Sequence, residues 1–96
     1  MTIMTPYFET PNGSTICRNN NNGWDVYGKG QPRTHVSIYI ADSGESLAEV
    51  FCDENSHFSA KLNLKNVPCG SLLITARCSL SSEQSQWSQN LNIVIS

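Results

Sequence analysis

Apolar side chains recur at every second position along most of this chain of 96 residues. The alternation runs through the stretches HVSIYI (35–40), SLAEV (46–50), HFSAKLNL (57–64), SLLITARC (71–78) and NLNIVI (90–95). A period of two places one set of side chains on one face of a β-strand, whereas a helix requires spacings of three and four. The sequence therefore predicts at least six half-buried strands and no helix.

Clusters of turn-forming residues separate the apolar stretches. Asparagine and glycine accept backbone conformations with positive φ, and proline fixes its own φ. These residues mark NNNNG (19–23), GKGQP (28–32), DSGES (42–46), DENS (53–56), NVPCG (66–70) and, with serines, SSEQS (81–85). Short strands about 8–12 residues apart are typical of an antiparallel two-sheet sandwich. The sequence thus predicts an all-β sandwich of about seven strands. The count of seven is reached if TPNGSTICR (10–18) contributes a first edge strand.

The length suits a single domain with one core. We expect residues 10–96 to form this domain, with residues 1–9 as an N-terminal lead-in segment. The first stretch, MTIMTPYFETPNG, has no basic region followed by a long apolar run, so it holds neither an export signal nor a membrane span. A net charge of −2 with scattered lysines and arginines gives no basic stripe. This charge pattern argues against nucleic acid and anionic membranes as partners.

Catalysis by a side-chain nucleophile requires a base within hydrogen-bond reach and a group that orients the base. His35 and His57 are the only side chains that act as bases near neutral pH, and both stand beside predicted turns. The chain has no G-x-S-x-G motif and no glycine-rich phosphate loop. We therefore expect no catalytic residue, no cofactor and no enzymatic activity.

Two acidic turns contain the kind of oxygen ligands that calcium uses. One offers Asp42 and Glu45, and the other offers Asp53, Glu54 and Asn55. Calcium takes about six to eight oxygens, and neither turn supplies that number in a recognised spacing. Both turns are therefore predicted to be solvated loops, and no metal site is expected.

Aromatic residues give the candidates for ligand binding. Trp24 and Phe58 share the parity of the apolar positions and are predicted to lie in the core. Tyr27 and Tyr39 have the opposite parity and should face solvent, where an exposed pair on a flat sheet can stack on a sugar or anchor a protein. Alternatively, the two tyrosines have no ligand and only pack against neighbouring strands on a half-exposed sheet. Trp87 stands at the start of the predicted last strand, either at the edge of the core or in a partly open surface patch. Tyr27, Tyr39 and Trp87 are therefore the candidate ligand-binding residues.

The turns and core positions of residues 10–96 resemble those of bacterial immunoglobulin-like repeats in large surface or secreted proteins of the adhesin type. In that family a Gly-x-Gly-x-Pro turn precedes a strand with alternating valines, and an acidic turn leads to an aromatic residue. A Leu-Pro-x-Gly turn then precedes a strand that ends near Ala-x-Ala, and a Ser-x-x-Ser or Trp-Ser element opens the final strand. The matching residues here are Gly28, Gly30, Pro32, Val36, Ile38, Asp53, Phe58, Val67, Pro68, Gly70, Ala76, Ser85, Trp87 and Ser88.

The resemblance implies an immunoglobulin-like fold and a non-enzymatic module that binds partners or acts as a spacer, with a role in adhesion or presentation. Its partners would be neighbouring repeat domains, a host or cell-surface protein, or a glycan. Its location would be extracellular or the cell surface, with the cytoplasm as the alternative. A free-standing sandwich that binds a carbohydrate or a host protein is the rival function.

Four cysteines depart from the family's pattern, because its repeats are commonly poor in cysteine. They form no Cys-x-x-Cys pair, and neither histidine stands at a ligand spacing from them, so a structural zinc site is not expected. Cys52 and Cys78 keep the core-facing parity and can bridge the interior if their strands lie in opposite sheets. Cys17 and Cys69 would meet at one pole of the sandwich. In the alternative, Cys52 and Cys78 are small buried side chains of a reduced protein.

Overall fold

The computed structural model of the protein describes residues 3–18 and 24–96. Strands are the only regular elements within this part of the chain, which confirms the prediction of an all-β protein. It contains no helix of the length and apolarity that a membrane crossing would need. The strands in the described residues are Tyr7–Phe8 (β1), Ser14–Ile16 (β2), Val26–Lys29 (β3), His35–Ile40 (β4), Ser46–Phe51 (β5), His57–Ala60 (β6), Gly70–Leu80 (β7), Glu83–Gln84 (β8) and Leu91–Ile95 (β9).

The strands form two sheets that share one core, as in a two-layer β-sandwich. The smaller sheet is antiparallel and has the order β1-β3-β6. The larger sheet has the order β2-β9-β7-β4-β5, and β8 pairs with β7 beside this path. Inward-facing side chains of both sheets belong to a single hydrophobic cluster. Full burial of each large apolar side chain in this cluster favours folding by about 1.5–3 kcal/mol relative to exposure.

The two-residue period identified most core-facing positions of the strands, but it failed in β5, where Leu47 is buried off the predicted parity beside a shift in the pairing register with β4. The buried side chains on the predicted parity are Val26, Val36, Ile38, Phe58, Ala60, Ile74, Ala76, Cys78, Leu91, Ile93 and Ile95. Burial continues beyond the end of β6, because Leu62 and Leu64 remain in the core although no strand includes them. The carboxylate of Asp25 accepts a 2.9 Å hydrogen bond from the Leu62 N–H and so satisfies a backbone donor that has left the ladder.

The N-terminal part of the chain contributes to both sheets. Strand β1 pairs with β3, and the chain then crosses to the larger sheet, where β2 runs parallel to β9 at the edge. An edge strand does lie within residues 10–18, as expected, but it is the second strand of the described chain, because β1 precedes it at the edge of the smaller sheet. Strand β9 is an interior strand. The sequence set residues 1–9 apart as a lead-in segment. Of these, Ile3 and Pro6 are buried and Tyr7–Phe8 is β1, so the described part of the segment packs with the sandwich.

Trp24 lies outside the core, so its predicted burial is wrong. The side chain is 66% exposed. Strand β3 begins only at Val26, and the backbone bends at Asp25 just before it. Alternation orders side chains only inside a strand, so the parity of Trp24 said nothing about its burial. Phe58, which lies inside a strand, is buried as predicted.

Candidate functional site

A bulge in the hairpin between β7 and β9 shapes the outer face of the larger sheet. Ser79 of β7 pairs with Gln84 of β8, and Ile74 of β7 pairs with Leu91 of β9. The seven residue steps from Gln84 to Leu91 therefore lie opposite only five steps of β7. Such an excess leaves residues unpaired, bends the strand and re-aims side chains. The extra residues lie between Gln84 and Leu91, in the stretch that contains Trp87.

Two buried serines hold the bulged stretch against β7. Ser85 Oγ accepts a hydrogen bond from the backbone N–H of Cys78, and Ser88 Oγ accepts one from Ala76, each at 2.9 Å. The backbone N–H groups of the same two serines donate to the carbonyl oxygens of Cys78 and Ala76. The hydroxyls thus satisfy buried backbone donors where the regular ladder is interrupted. The Ser-x-x-Ser spacing of the sequence therefore has a hydrogen-bonding cause.

Trp87 lies between Arg77 and Tyr39. The guanidinium carbon of Arg77 is 4.2 Å from the centroid of the Trp87 ring. The ring of Tyr39 meets the indole edge-to-face, with centroids 5.3 Å apart and an interplanar angle of 83°. Contacts of these two kinds stabilise by about 0.5–1.5 kcal/mol each. Trp87 nevertheless keeps 45% of its surface exposed, so a positioned indole faces solvent.

A cavity of about 400 Å³ adjoins the two rings. Its walls are Tyr39, Ile40, Ala41, Asp42, Gly44, Thr75, Trp87 and Asn90. The volume falls at the lower end of the range of about 300–1,000 Å³ that is usual for small-molecule sites. Aromatic surfaces and polar side chains both line the cavity, which suits a ligand that carries both kinds of surface.

The turn between β4 and β5 forms one wall of this cavity, and two of its backbone N–H groups are already paired. Gly44 has a φ of 75°, a conformation that favours glycine, and its N–H donates to Ile40 O at 2.8 Å. The N–H of Ala41 donates to Leu73 O at 2.9 Å. The turn therefore offers a ligand the side chain of Asp42 rather than these main-chain donors.

The structure brings together two of the three aromatic residues that the sequence proposed for ligand binding. Tyr39 and Trp87 are in contact, and Trp87 belongs to a partly open surface patch. Tyr27 is 47% exposed but lies on β3, in the smaller sheet. Outward-facing residues of two packed sheets point to opposite sides of a sandwich. Tyr27 and Tyr39 therefore cannot form the pair on one flat sheet that the sequence suggested.

Sequence reasoning missed three polar members of this region, Arg77, Thr75 and Asn90. The outward parity of Arg77 and Thr75 on β7 was the available signal, since Tyr39 pairs with Thr75 on the neighbouring strand. The position of Asn90 depends on the bulge, which the periodicity did not reveal. The sequence suggests a role for Asp42 only as a calcium ligand, not as part of a cavity beside aromatic rings.

Cys52 and Cys78 are buried thiols that lie close to one point in the core. A Cβ atom built on Gly30 would stand 3.7 Å from Cys52 Sγ and 2.9 Å from Cys78 Sγ. The condition for a bridge between opposite sheets is not met, because Cys52 directly follows β5 and Cys78 lies on β7, both in the larger sheet. Burial raises the pKa of the Cys52 thiol, and the nearby Cys78 raises it further.

Cys17 and Cys69 are exposed thiols toward one end of the larger sheet. Cys17 directly follows β2 and Cys69 directly precedes β7, and the adjoining ends of both strands pair with Ile95 of β9. The guanidinium of Arg18, next to Cys17, donates to the carbonyl oxygen of Val67 and lies 3.8 Å from Cys69 Sγ. The two cysteines therefore share a pole of the sandwich.

The histidines and the second acidic turn make local surface contacts. His35 Nδ1 lies 3.7 Å from a carboxylate oxygen of Glu49. Asp53 Oδ1 accepts hydrogen bonds from the backbone N–H groups of Asn55 and His57, both at 2.9 Å, so this carboxylate closes its own turn. Among the residues that the structure describes, no group of three histidine, cysteine, aspartate or glutamate side chains is placed to hold a metal ion.

Comparison with known proteins found a likeness to a solved structure. No protein-family model matches the chain, and no curated protein matches it. A solved structure named "Biofilm associated protein - BSP domain" superposes with a TM-score of 0.62 at 14% identity. The likeness covers 96% of this chain and 14% of the other chain. It shows a shared fold, which in that protein occupies a small part of a much longer chain.

Proposed function

We propose that this protein is a non-enzymatic immunoglobulin-like module of a larger bacterial surface or secreted protein, where it acts as a spacer in adhesion or presentation. Two findings support the proposal: its fold resembles a domain named for a biofilm-associated protein, and that domain is one part of a long chain. The neighbours in such a chain would be further domains of similar kind, at the cell surface or outside the cell.

The observation that carries the spacer function is the placement of the two chain ends. Near the beginning of the chain, the Met4 N–H donates to the side-chain oxygen of Gln31 at 3.1 Å. The backbone carbonyl of Gln31 accepts a 2.7 Å hydrogen bond from Thr34 Oγ1. Thr34 directly precedes β4, whose first residue pairs with Ser79 near the end of β7. Met4 therefore lies at the Leu80 end of β7.

The other end of the chain lies at the opposite end of β7. Ser96 follows Ile95, which pairs with Gly70, the first residue of β7. Strand β7 has 11 residues, and a strand rises about 3.3 Å per residue. The long axis of the molecule measures 39 Å, so the chain enters near one end of this axis and leaves near the other. Modules of this geometry would join end to end and extend a chain.

Strand pairing also suits a module that carries tension. Strand β9 lies between β2, which is parallel to it, and β7, which is antiparallel. At the end of the pairing with β2, the Ser96 N–H donates to Ile16 O at 3.0 Å and Ser96 O accepts from the Arg18 N–H at 3.1 Å. A pull along the long axis would draw β9 lengthwise against both neighbours. Because ladder hydrogen bonds run across the strands, they would carry this load together rather than one after another.

Three linked copies of the chain provide the test. By small-angle X-ray scattering, the concatemer should be elongated, with a maximum dimension close to three times that of one domain. In single-molecule pulling through the two chain ends, each domain should unfold at a high force. The control pulls the same domain through Asn66 and Ser96, which lie at one pole and would unzip β7 from β9. A compact concatemer, or equal unfolding forces in the two pulling directions, would contradict the spacer function.

A further inference from the structure

We infer that the cavity beside Tyr39 and Trp87 binds a sugar residue of an uncharged glycan. This function goes beyond that of a spacer, which needs no ligand at all. It depends on three properties of the cavity: a positioned aromatic ring, free polar side chains and a local charge that disfavours anions.

The aromatic ring is the first property. Trp87 is 45% exposed, although Arg77 and Tyr39 hold it in place. A side chain that is already positioned loses little conformational freedom when a ligand binds, which favours affinity. The C–H groups on one side of a sugar ring form an apolar surface. The part of the indole that Arg77 and Tyr39 leave exposed can cover this surface and remove both from water.

The polar side chains are the second property. Asp42 and Asn90 line the cavity and are exposed, and the phenol of Tyr39 belongs to the same wall. Within residues 3–18 and 24–96, the polar atoms of these three side chains make no hydrogen bond to the protein. Sugar hydroxyl groups both donate and accept hydrogen bonds. A carboxylate, an amide and a phenol beside an aromatic ring therefore match the donors and acceptors around a sugar ring.

The charge is the third property, and it selects among glycans. Asp42 is the charged residue among those that line the cavity. The guanidinium of Arg77 lies over the Trp87 ring and is not part of the cavity wall. The chain as a whole carries a net charge of −2. Glycans with carboxylate, sulfate or phosphate groups would meet the carboxylate of Asp42 in the wall, whereas the nearby guanidinium of Arg77 is already engaged with the Trp87 ring, so the cavity favours uncharged sugars.

A peptide fits this cavity less well. Peptides that bind to sheets commonly add a strand to an exposed edge and use main-chain hydrogen bonds. The strands beneath the cavity, β4 and β7, each have neighbours on both sides. The backbone N–H groups of Ile40 and Ala41 are also occupied, by Glu45 O and Leu73 O. The cavity therefore recognises ligands through side chains, as a site for a sugar does.

The test uses the full chain on an array that displays uncharged, anionic and amine-bearing glycans. Retained glycans are then titrated while tryptophan fluorescence is recorded in a Trp24→Phe background, where Trp87 is the one remaining tryptophan. We expect retention of uncharged glycans and a saturable change in Trp87 emission. Retention of no glycan, or a preference for anionic or amine-bearing glycans, would overturn the inference.

Matched variants locate the binding. Trp87→Ala should weaken the retained glycan at least about tenfold, as expected for the loss of a central aromatic contact. Trp24→Ala removes an exposed tryptophan far along the chain from the cavity, and Tyr27→Ala removes an exposed tyrosine of the other sheet, so both should bind normally. Asp42→Ala changes an exposed turn residue with little risk to folding and should also weaken binding. Normal binding by Trp87→Ala, or equal losses in all four variants, would refute the site.

The spacer function is tested separately by the same variants. Trp87 takes no part in the pairing of β9 with β2 or β7. The Trp87→Ala domain should therefore keep the unfolding force of the unchanged domain when pulled through its ends. A loss of glycan binding at unchanged force assigns the binding to the cavity and leaves the spacer function intact.

Discussion

The backbone N–H of Cys78 donates a 2.9 Å hydrogen bond to Ser85 Oγ, a side-chain acceptor placed where a regular hairpin would present a carbonyl. Ser88 plays the same part for Ala76. These two contacts let the strand opposite β7 carry extra residues without leaving buried donors unpaired. The bulge in turn places Trp87 beside Tyr39. The fold and the candidate site thus depend on the same pair of serines.

Replacement of Ser85 should therefore cost more stability than its small side chain suggests. In Ser85→Ala the buried Cys78 N–H loses its acceptor, and an unsatisfied buried donor lowers the free energy of unfolding by about 1–3 kcal/mol. The control is Ser82→Ala, an exposed serine in the adjoining turn, which should change stability by less than about 0.5 kcal/mol. Urea denaturation measures both. Equal stabilities would mean that water or the backbone can replace the Ser85 hydroxyl.

The core could be predicted from sequence because its signal is local. Within a strand, the parity of one residue gives the burial of the next ones, and Val36, Ile38 and Ile74 are buried accordingly. The same rule fails at Trp24, which stands just before a strand begins. Parity also predicts which side chains of a strand face the core, but not which sheet the strand joins. The sheet beside Cys52 depends on long-range strand pairing, which the pattern does not contain.

The difference between the two faces of β4 gives a second prediction. Ile38→Asp would bury a charge at a position with 0% exposure, which costs several kcal/mol against a total stability of about 5–15 kcal/mol. This variant should unfold or fail to accumulate. Tyr39→Asp lies on the outer face and should lose only the aromatic contact with Trp87, about 0.5–1.5 kcal/mol. Thermal unfolding distinguishes them, and similar melting temperatures would contradict the assignment of faces.

The candidate site was harder to predict than the core, because it depends on contacts between residues that periodicity does not relate. Tyr39 was correctly placed on the outer face by its parity. Its partner Trp87 arrives through a bulge that depends on side-chain hydrogen bonds to Ala76 and Cys78, and a two-residue period has no means of representing a bulge. The outward parity of Arg77 on β7 was visible in the sequence, but its contact with the Trp87 ring depends on the same bulge. A site that is built by an irregularity is therefore found from coordinates rather than from periodicity.

A third prediction concerns Gly28, where two strands of the smaller sheet meet closely. A Cβ atom at this position would overlap the carbonyl oxygen of Tyr7 and stand 2.9 Å from Phe58 Cζ. Gly28→Ala should therefore push β1 away from β3 and lower the free energy of unfolding by about 1–3 kcal/mol or more. Urea denaturation measures the loss. A stability equal to that of the unchanged chain would show that β1 moves aside without cost.

Gly30→Ala provides the matched comparison for Gly28→Ala. Its added Cβ would meet a side-chain atom, Cys78 Sγ, at 2.9 Å. The double variant Gly30→Ala with Cys78→Ala removes that sulfur and should recover part of the lost stability, as contacting residues couple in double-mutant cycles. Purely additive losses would contradict the proposed contact.

The cysteine placements give a fourth prediction, for protein refolded with oxidised glutathione. Cys52 and Cys78 should join to each other, because both sulfur atoms border the same point at Gly30. In the reaction two thiols lose two protons and two electrons, and one molecule of oxidised glutathione leaves as two of the reduced form. A second bridge, if formed, should join Cys17 to Cys69 at their shared pole. Peptide mapping without reduction identifies the links, and a Cys17–Cys52 or Cys69–Cys78 link would contradict these placements.

The last prediction is a loss of stability at alkaline pH that originates at one thiol. Burial, and after it the neighbouring Cys78, raises the pKa of Cys52 above its ordinary value of 9.0, so the folded protein holds this proton more tightly than the unfolded chain does. The unfolded chain therefore releases its proton first as the pH rises past 9.0, and the free energy of unfolding falls until the folded thiol also ionises. Urea denaturation of reduced protein at about pH 7.5 and about pH 10 should show this loss. Cys52→Ala should lose less stability over the same interval, while Cys69→Ala, which removes an exposed thiol, should behave like the unchanged chain. Identical pH dependence in all three proteins would place the alkaline sensitivity at a group other than Cys52.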